Sequence, residues 1–119
     1  MIKIENQKVK TLINLYEGKL MMLDFEPKQA LQVVKDLKKL KEADDTVEQF
    51  RKSLVKKYKL DAEKPTEEDN KKASEEYIKA LLEKVEIDIN PLPEKALNNL
   101  KISPLEAITL EEVGLYSFD

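Results

Sequence analysis

The chain contains no histidine and no cysteine. Without histidine it lacks the usual general base and the commonest metal ligand. Without cysteine, disulfides and thiolate metal sites drop out, and a reducing compartment suits the composition. Glycine occurs only at Gly18 and Gly114, whereas a sandwich or barrel needs many tight turns, so an all-β fold is not expected. No apolar run approaches the roughly 18 residues of a membrane span. The segment Met1-Ile2-Lys3-Ile4-Glu5 also lacks the apolar stretch of a secretory signal, so the expected place is the cytoplasm.

Motifs that carry chemistry are missing too. There is no Gly-rich phosphate loop, no nucleophile elbow and no zinc-ligand spacing. The acidic pairs Asp44/Asp45, Glu67/Glu68, Glu75/Glu76 and Glu111/Glu112 are sequence neighbours, which diverge by about 100° on a helix and do not converge on one substrate. The expectation is a protein that is not an enzyme, with no catalytic residue, no cofactor and no metal.

What is present is charge and leucine-rich periodicity. The 119 residues are 38% charged and 41% hydrophobic, a balance that points to long amphipathic helices and to one domain, 1–119. Its helical part is expected over 6–84 and a part with strands and short helices over 85–119. Net charge is −3 but unevenly placed. Residues 1–60 hold 14 basic and 9 acidic side chains, and residues 61–119 hold 7 and 15. Such a chain either folds its halves against each other or shows partners two different faces.

Along the chain, Ile2 and Ile4 alternate with Lys3 and Glu5, as in a short strand buried on one face. Asn6 is placed to cap a helix running to about Gly18, with Val9, Leu12, Ile13 and Tyr16 on one stripe. The connection Lys19–Glu26 is rich in apolar residues and either forms a loop or extends that helix. Pro27 suits a first helical turn. From there Val33, Leu40, Val47 and Leu54 recur every seven residues, widened by Ala30, Leu37, Phe50 and Tyr58, which predicts a helix over 27–58. At about 1.5 Å per residue it would run roughly 48 Å, too long for a compact domain of this size. Either the molecule is elongated, or the helix breaks at Asp44-Asp45-Thr46, where Asp45 can start a new one; the continuous form is preferred.

A loop is expected over 59–66, then a helix capped by Thr66 with Asp69 in the reciprocal position, running to about Lys84. Its buried face is expected to hold Ala73, Tyr77, Ile78, Leu81 and Leu82. Val85, Ile87 and Ile89 then alternate as a strand, ended by Asn90-Pro91-Leu92-Pro93. Residues 93–100 are expected to hold a helical turn, and Lys101-Ile102 a second short strand. Ser103-Pro104-Leu105-Glu106 spells a helix start, with short segments separated near Thr109. The fold class expected is mainly α (α+β). It is an elongated three-helix arrangement around one long helix, with a small two- or three-stranded sheet near the C-terminal third.

Candidate contact residues follow from charge and periodicity. Asp44 and Arg51 lie seven apart, in register with Leu37 and Tyr58 at the edge of the apolar stripe. They either meet partners across a helical seam or sit just outside the core. Arg51, Lys52 and Lys56 belong to a basic run for which phosphate binding is the functional reading. Acids are interspersed and Arg51 is the sole arginine, so nucleic acid is disfavoured. Tyr116 and Phe118 form either a docking peptide or a tail folded over its own domain.

The succession Phe50-Arg51-Lys52-Ser53-Leu54-Val55-Lys56-Lys57-Tyr58, an acidic loop, Leu81-Leu82-Glu83-Lys84-Val85-Glu86-Ile87-Asp88-Ile89-Asn90-Pro91, then Ile102-Ser103-Pro104 and Leu110-Glu111, resembles a family of small proteins encoded by tailed bacteriophages and prophages of Gram-positive bacteria. The likeness covers roughly residues 27–113 and consists of structural punctuation. It implies a phage origin, in the host cytoplasm or the virion, and supplies no functional residue. The function expected is a non-enzymatic accessory protein acting by protein–protein contact, in virion assembly or as a minor component of the particle. The alternatives are an early protein that binds and inhibits a host enzyme or defence system and, third, a nucleic-acid binder. A protein partner is expected and a homodimer is possible, with no membrane.

Overall fold

The computed structural model describes residues 2–61, 66–89, 91 and 100–115. Among these it is mostly helical, with a small two-stranded antiparallel sheet. Strand β1 (Ile2–Glu5) leads directly into helix α1 (Asn6–Gly18), then a 3-10 turn (Leu20–Met22) and helix α2 (Pro27–Lys57). Helix α3 (Glu67–Leu82), strand β2 (Lys84–Ile87) and helix α4 (Pro104–Glu112) follow. The principal extents are 53 × 27 × 23 Å and the radius of gyration is 17.2 Å, well above the roughly 13–14 Å of a compact domain this size.

Helix α2 is 31 residues without a break. Nothing at Asp44-Asp45-Thr46 forbids helical dihedrals, and the Thr46 hydroxyl donates back to the Glu42 carbonyl, 3.2 Å, inside the helix. Pro27 sits in its first turn, and Lys56 and Lys57 in its last, where positive charge suits the negative end of the helix. Beyond that end Lys59 adopts φ 52°. The Leu60 N–H there donates to the Val55 carbonyl, 3.0 Å, closing the end in the left-handed manner normally given to glycine. A lysine in that conformation costs energy that glycine avoids. Lys59→Gly is therefore expected to stabilise the protein by about 0.5–1 kcal/mol in urea melts. Gly114, at φ 78° beyond α4 with open space around its missing Cβ, is the mirror case, and Gly114→Ala is expected to cost about 1 kcal/mol.

Strand pairing follows the sequence pattern. Ile2 faces Ile87 and Ile4 faces Val85, while Lys3 lies opposite Glu86 and Glu5 opposite Lys84. The apolar pairs lie on the core side, and each pair outside it joins opposite charges, which favours this register. A slip of one residue would turn both isoleucines to water. The expected third strand at Lys101-Ile102 does not form; these residues have no strand structure, and half-buried Ile102 packs against the core instead.

The main core gathers Ile2, Ile4, Val9, Leu12, Leu15, Tyr16, Leu20, Val33, Leu37, Leu40, Ile87, Ile89, Leu110 and Leu115. Each such side chain contributes about 1.5–3 kcal/mol on burial, so this cluster is what holds the sheet, α1, α4 and the first half of α2 together. Ion pairs record how the helices run. Lys10–Glu48 at 3.3 Å and Lys41–Glu17 at 2.5 Å set α1 antiparallel to α2. Lys8–Glu112 and Lys19–Glu106, both 2.6 Å, set α4 antiparallel to α1. These two, with Lys57–Glu76 and Lys39–Asp88, join the basic first half to the acidic second half. Exposed pairs are worth about 0–1 kcal/mol each, so they orient what the core stabilises.

Three expectations need correction. Asn6 does not cap its own helix, for Glu5 occupies that position without a side-chain bond. Instead the Asn6 N–H donates to the Glu83 carbonyl and its Nδ2 to the Ala80 carbonyl, both 2.9 Å. The Asn6 backbone N–H and side-chain amide thereby tie the start of α1 to carbonyls at the end of α3. Helix α4 runs unbroken through Thr109, whose hydroxyl donates to the Leu105 carbonyl, 2.9 Å. In α3 only Ala73 is buried, while Ile78 and Leu82 are 55% and 53% exposed. The end of α1 at Gly18 is as expected, and Met21 and Met22 beyond it are exposed. The turn expected at 93–100 lies outside the described residues apart from Leu100.

At the start of α4, the Ser103 hydroxyl accepts from the Glu106 N–H, 3.2 Å, and the Glu106 carboxylate accepts from the Ser103 N–H, 2.9 Å. The same carboxylate takes the Lys19 ammonium at 2.6 Å. Burial is the largest single influence on Glu106 and opposes its ionisation, yet Lys19 and the two Ser103 groups outweigh it and hold the carboxyl below its usual range. A carboxyl with a lowered folded pKa adds stability above the unfolded value, near 4.3, and loses it as pH falls through the folded value. Glu106→Gln is therefore expected to lower the urea midpoint at pH 7, by about 1 kcal/mol. The gap to the unsubstituted protein should narrow steadily from about pH 5 to pH 3.

Candidate contact surfaces

Two depressions lie on the second half of α2, on different sides of it. The first is formed by one helix and the segment just after it. Arg51, Lys52 and Lys56 line a shallow hollow of about 520 Å³ together with Gln49, Ser53, Val55 and Asp61. Three candidate residues thus share one surface. Arg51 is committed, since its Nε donates to Glu48 Oε2 at 3.1 Å within the helix. Lys52 and Lys56 are exposed and make no ion pair with any described residue.

Asp44 lies elsewhere. It is half-buried on the side of α2 facing α1, where Glu48 first and Asp44 second raise the pKa of the Lys10 ammonium. Arg51 is therefore engaged along its own helix, and Asp44 lies close enough to the Lys10 ammonium of α1 to act on its charge. Tyr116 and Phe118 lie outside the described residues.

The second depression is a groove of about 450 Å³ between α2, α3 and the start of α1. Its apolar surface comes from Val47, Phe50 and Ala80, with Thr46, Glu76, Lys79, Glu83 and Asn6 around it. Phe50, 38% exposed, is the residue the sequence placed in the buried stripe and the structure leaves at its edge. Helix α1 ends its run along α2 near Glu48, and α3 reaches Phe50 from one side only. Spacing gave no sign of this, because Phe50 falls three residues after Val47 and four before Leu54, the same register that buries Asp36 between Val33 and Leu40.

The described residues also hold a buried polar pair that composition hid. Asp36, a carboxylate on a strongly charged helix, is 2% exposed and accepts from Gln32 Nε2 at 2.8 Å. Tyr16 is fully buried, and its hydroxyl has no hydrogen-bond partner among the described residues. Burial, then the nearby Asp36, push the Tyr16 phenol far above its usual pKa, so it stays neutral near neutral pH. Among the described residues no three His, Cys, Asp or Glu are grouped to hold a metal ion, and no helix is long and apolar enough to cross a membrane.

No protein-family model matches the chain, and neither does any curated protein or solved structure.

Proposed function

We propose that this protein is a non-enzymatic tailed-phage accessory factor that works by protein–protein contact, with α2 as a central spine and the groove beside Phe50 as its docking surface. The observation that carries the reading is that groove: an aromatic ring left open beside Val47 and Ala80, between two helices that the fold brings together but does not seal. Aromatic anchors set in apolar surface with a polar rim are where contact energy concentrates. The rim is mixed in charge, so the partner suited to it is an amphipathic segment with one apolar anchor over Phe50 and a cation opposite Glu83. In the three-helix arrangement, α1 covers one stretch of the spine and α3 the other, and the groove lies where the two coverings meet.

The test places a photo-crosslinking amino acid at Phe50 in phage-infected cells. The expected product is an adduct with a phage structural protein, and Phe50→Glu should abolish copurification with it. An adduct confined to a host enzyme or defence protein would transfer the reading to an inhibitor. Absence of any adduct would overturn the groove as a docking surface.

A further inference from the structure

An apolar residue on the outer face of a helix, away from the core, does nothing for the fold and exposes surface that a contact can cover. Two helices carry such residues at matching spacing. On α2, Leu31 and Val34 are 61% and 46% exposed and are followed by Lys35 and Lys38. On α4, Leu105 and Ile108 are 63% and 55% exposed and are followed by Glu111. Lys35, Lys38 and Glu111 are exposed, and none makes an ion pair with a described residue.

The geometry points to self-association: the outer strip of α2 on one copy docks on the outer strip of α4 on a second copy. Laid parallel, with Leu31 against Leu105, the strips bring Val34 against Ile108 and Lys38 against the Glu111 end of α4. Apolar then meets apolar and cation meets anion in a single register. The occupant is argued from charge. The α2 strip, with Lys35 and Lys38, repels a copy of itself, whereas the Glu111 carboxylate of the α4 strip is complementary to it. The contact therefore joins unlike surfaces, and it extends into a string or ring of copies unless a two-fold axis closes it. Eight residues of α2 span about 12 Å. The footprint is accordingly a few hundred Å² per copy, well below the roughly 800 Å² of a standard partner surface. The association is weak, with a Kd of about 0.1–1 mM, and it acts where copies are already concentrated.

Sedimentation velocity on the full chain from about 10 µM to about 1 mM, at low salt, tests this. The wild-type protein is expected to shift from monomer to larger species. Lys35→Glu/Lys38→Glu, which disables the α2 strip, and Ile108→Lys/Glu111→Lys, which disables the α4 strip, should each stay monomeric and melt like wild type. Mixed in equal amounts they should form a 1:1 complex, because each supplies the strip the other lacks. Three results would each overturn the proposal: a wild-type protein monomeric at the highest concentration, single variants that associate as strongly as wild type, or a mixture that forms no complex. Binding at the Phe50 groove is untouched by any of these substitutions, so the two readings stand or fall separately.

Discussion

Leu40→Ala is expected to destabilise the protein by about 2–5 kcal/mol, a large part of the roughly 5–15 kcal/mol that holds a domain of this size folded. Leu40 is completely buried within the cluster that joins α2 to α1, α4 and the sheet. Truncation removes three carbons' worth of transfer energy and leaves a hole that helices pinned on several sides cannot close. The corresponding fall in Tm is roughly 10–20 °C. Urea unfolding followed by far-UV circular dichroism should show the midpoint drop with an unchanged slope, as expected for a weakened fold that still unfolds in one step. Leu31→Ala is the internal control. It lies on the same helix and changes the same side chain, yet it is 61% exposed, and its expected effect stays within about 0.5 kcal/mol. Equal losses at the two positions would mean that α2 is oriented differently about its axis.

That orientation was legible because residue type and spacing agreed. Val33, Leu40, Val47 and Leu54 repeat every seven residues and are all buried. The Thr66 and Ser103 starts were written in local chemistry and appear as side-chain caps. The alternation at Ile2–Ile4 and Val85–Ile87 appears as one antiparallel pair. Sequence reasoning failed where the two signals disagreed or where burial depended on a distant partner. Asp36 lies three residues after Val33 and four before Leu40, so the stripe pointed to it, but a carboxylate argued for solvent. Lys59 gave no sign of left-handed backbone, because nothing in its type favours that conformation. Ile78 and Leu82 were assigned to the buried face of α3, yet a helix buries only what its neighbours cover.

The candidate contact residues divide the same way. The positive charge of Arg51, Lys52 and Lys56 could be read directly, and so could the Glu48–Arg51 spacing of three that ties Arg51 to its own helix. The groove at Phe50 could not be read, since its second wall comes from α3 and its end from Asn6. It depends on tertiary contacts between segments far apart in sequence.

Leu54→Ala should behave differently from Leu40→Ala although both remove a buried leucine from the same stripe. Leu54 is 4% exposed, but with Val47 and Ala73 it lies outside the main cluster. The first turns of α3 are held by Ala73, by the Lys57–Glu76 pair at 3.2 Å and by the Thr66 cap. The far end of α3 is better tied, by the two bonds from Asn6 and the strand that follows. A hole at Leu54 should therefore be relieved by opening the start of α3 rather than by unfolding the molecule. A local loss of about 2 kcal/mol corresponds to roughly 30-fold faster amide exchange there. Exchange in Asn70–Glu76 is expected to accelerate by that factor, while amides of α1 and the two strands keep their protection and the global urea midpoint moves less than for Leu40→Ala. Uniform acceleration along the whole chain would instead make α3 and the core one cooperative unit. The open edge at Phe50 would then be a rigid wall, not the margin of a segment that can move aside for a partner.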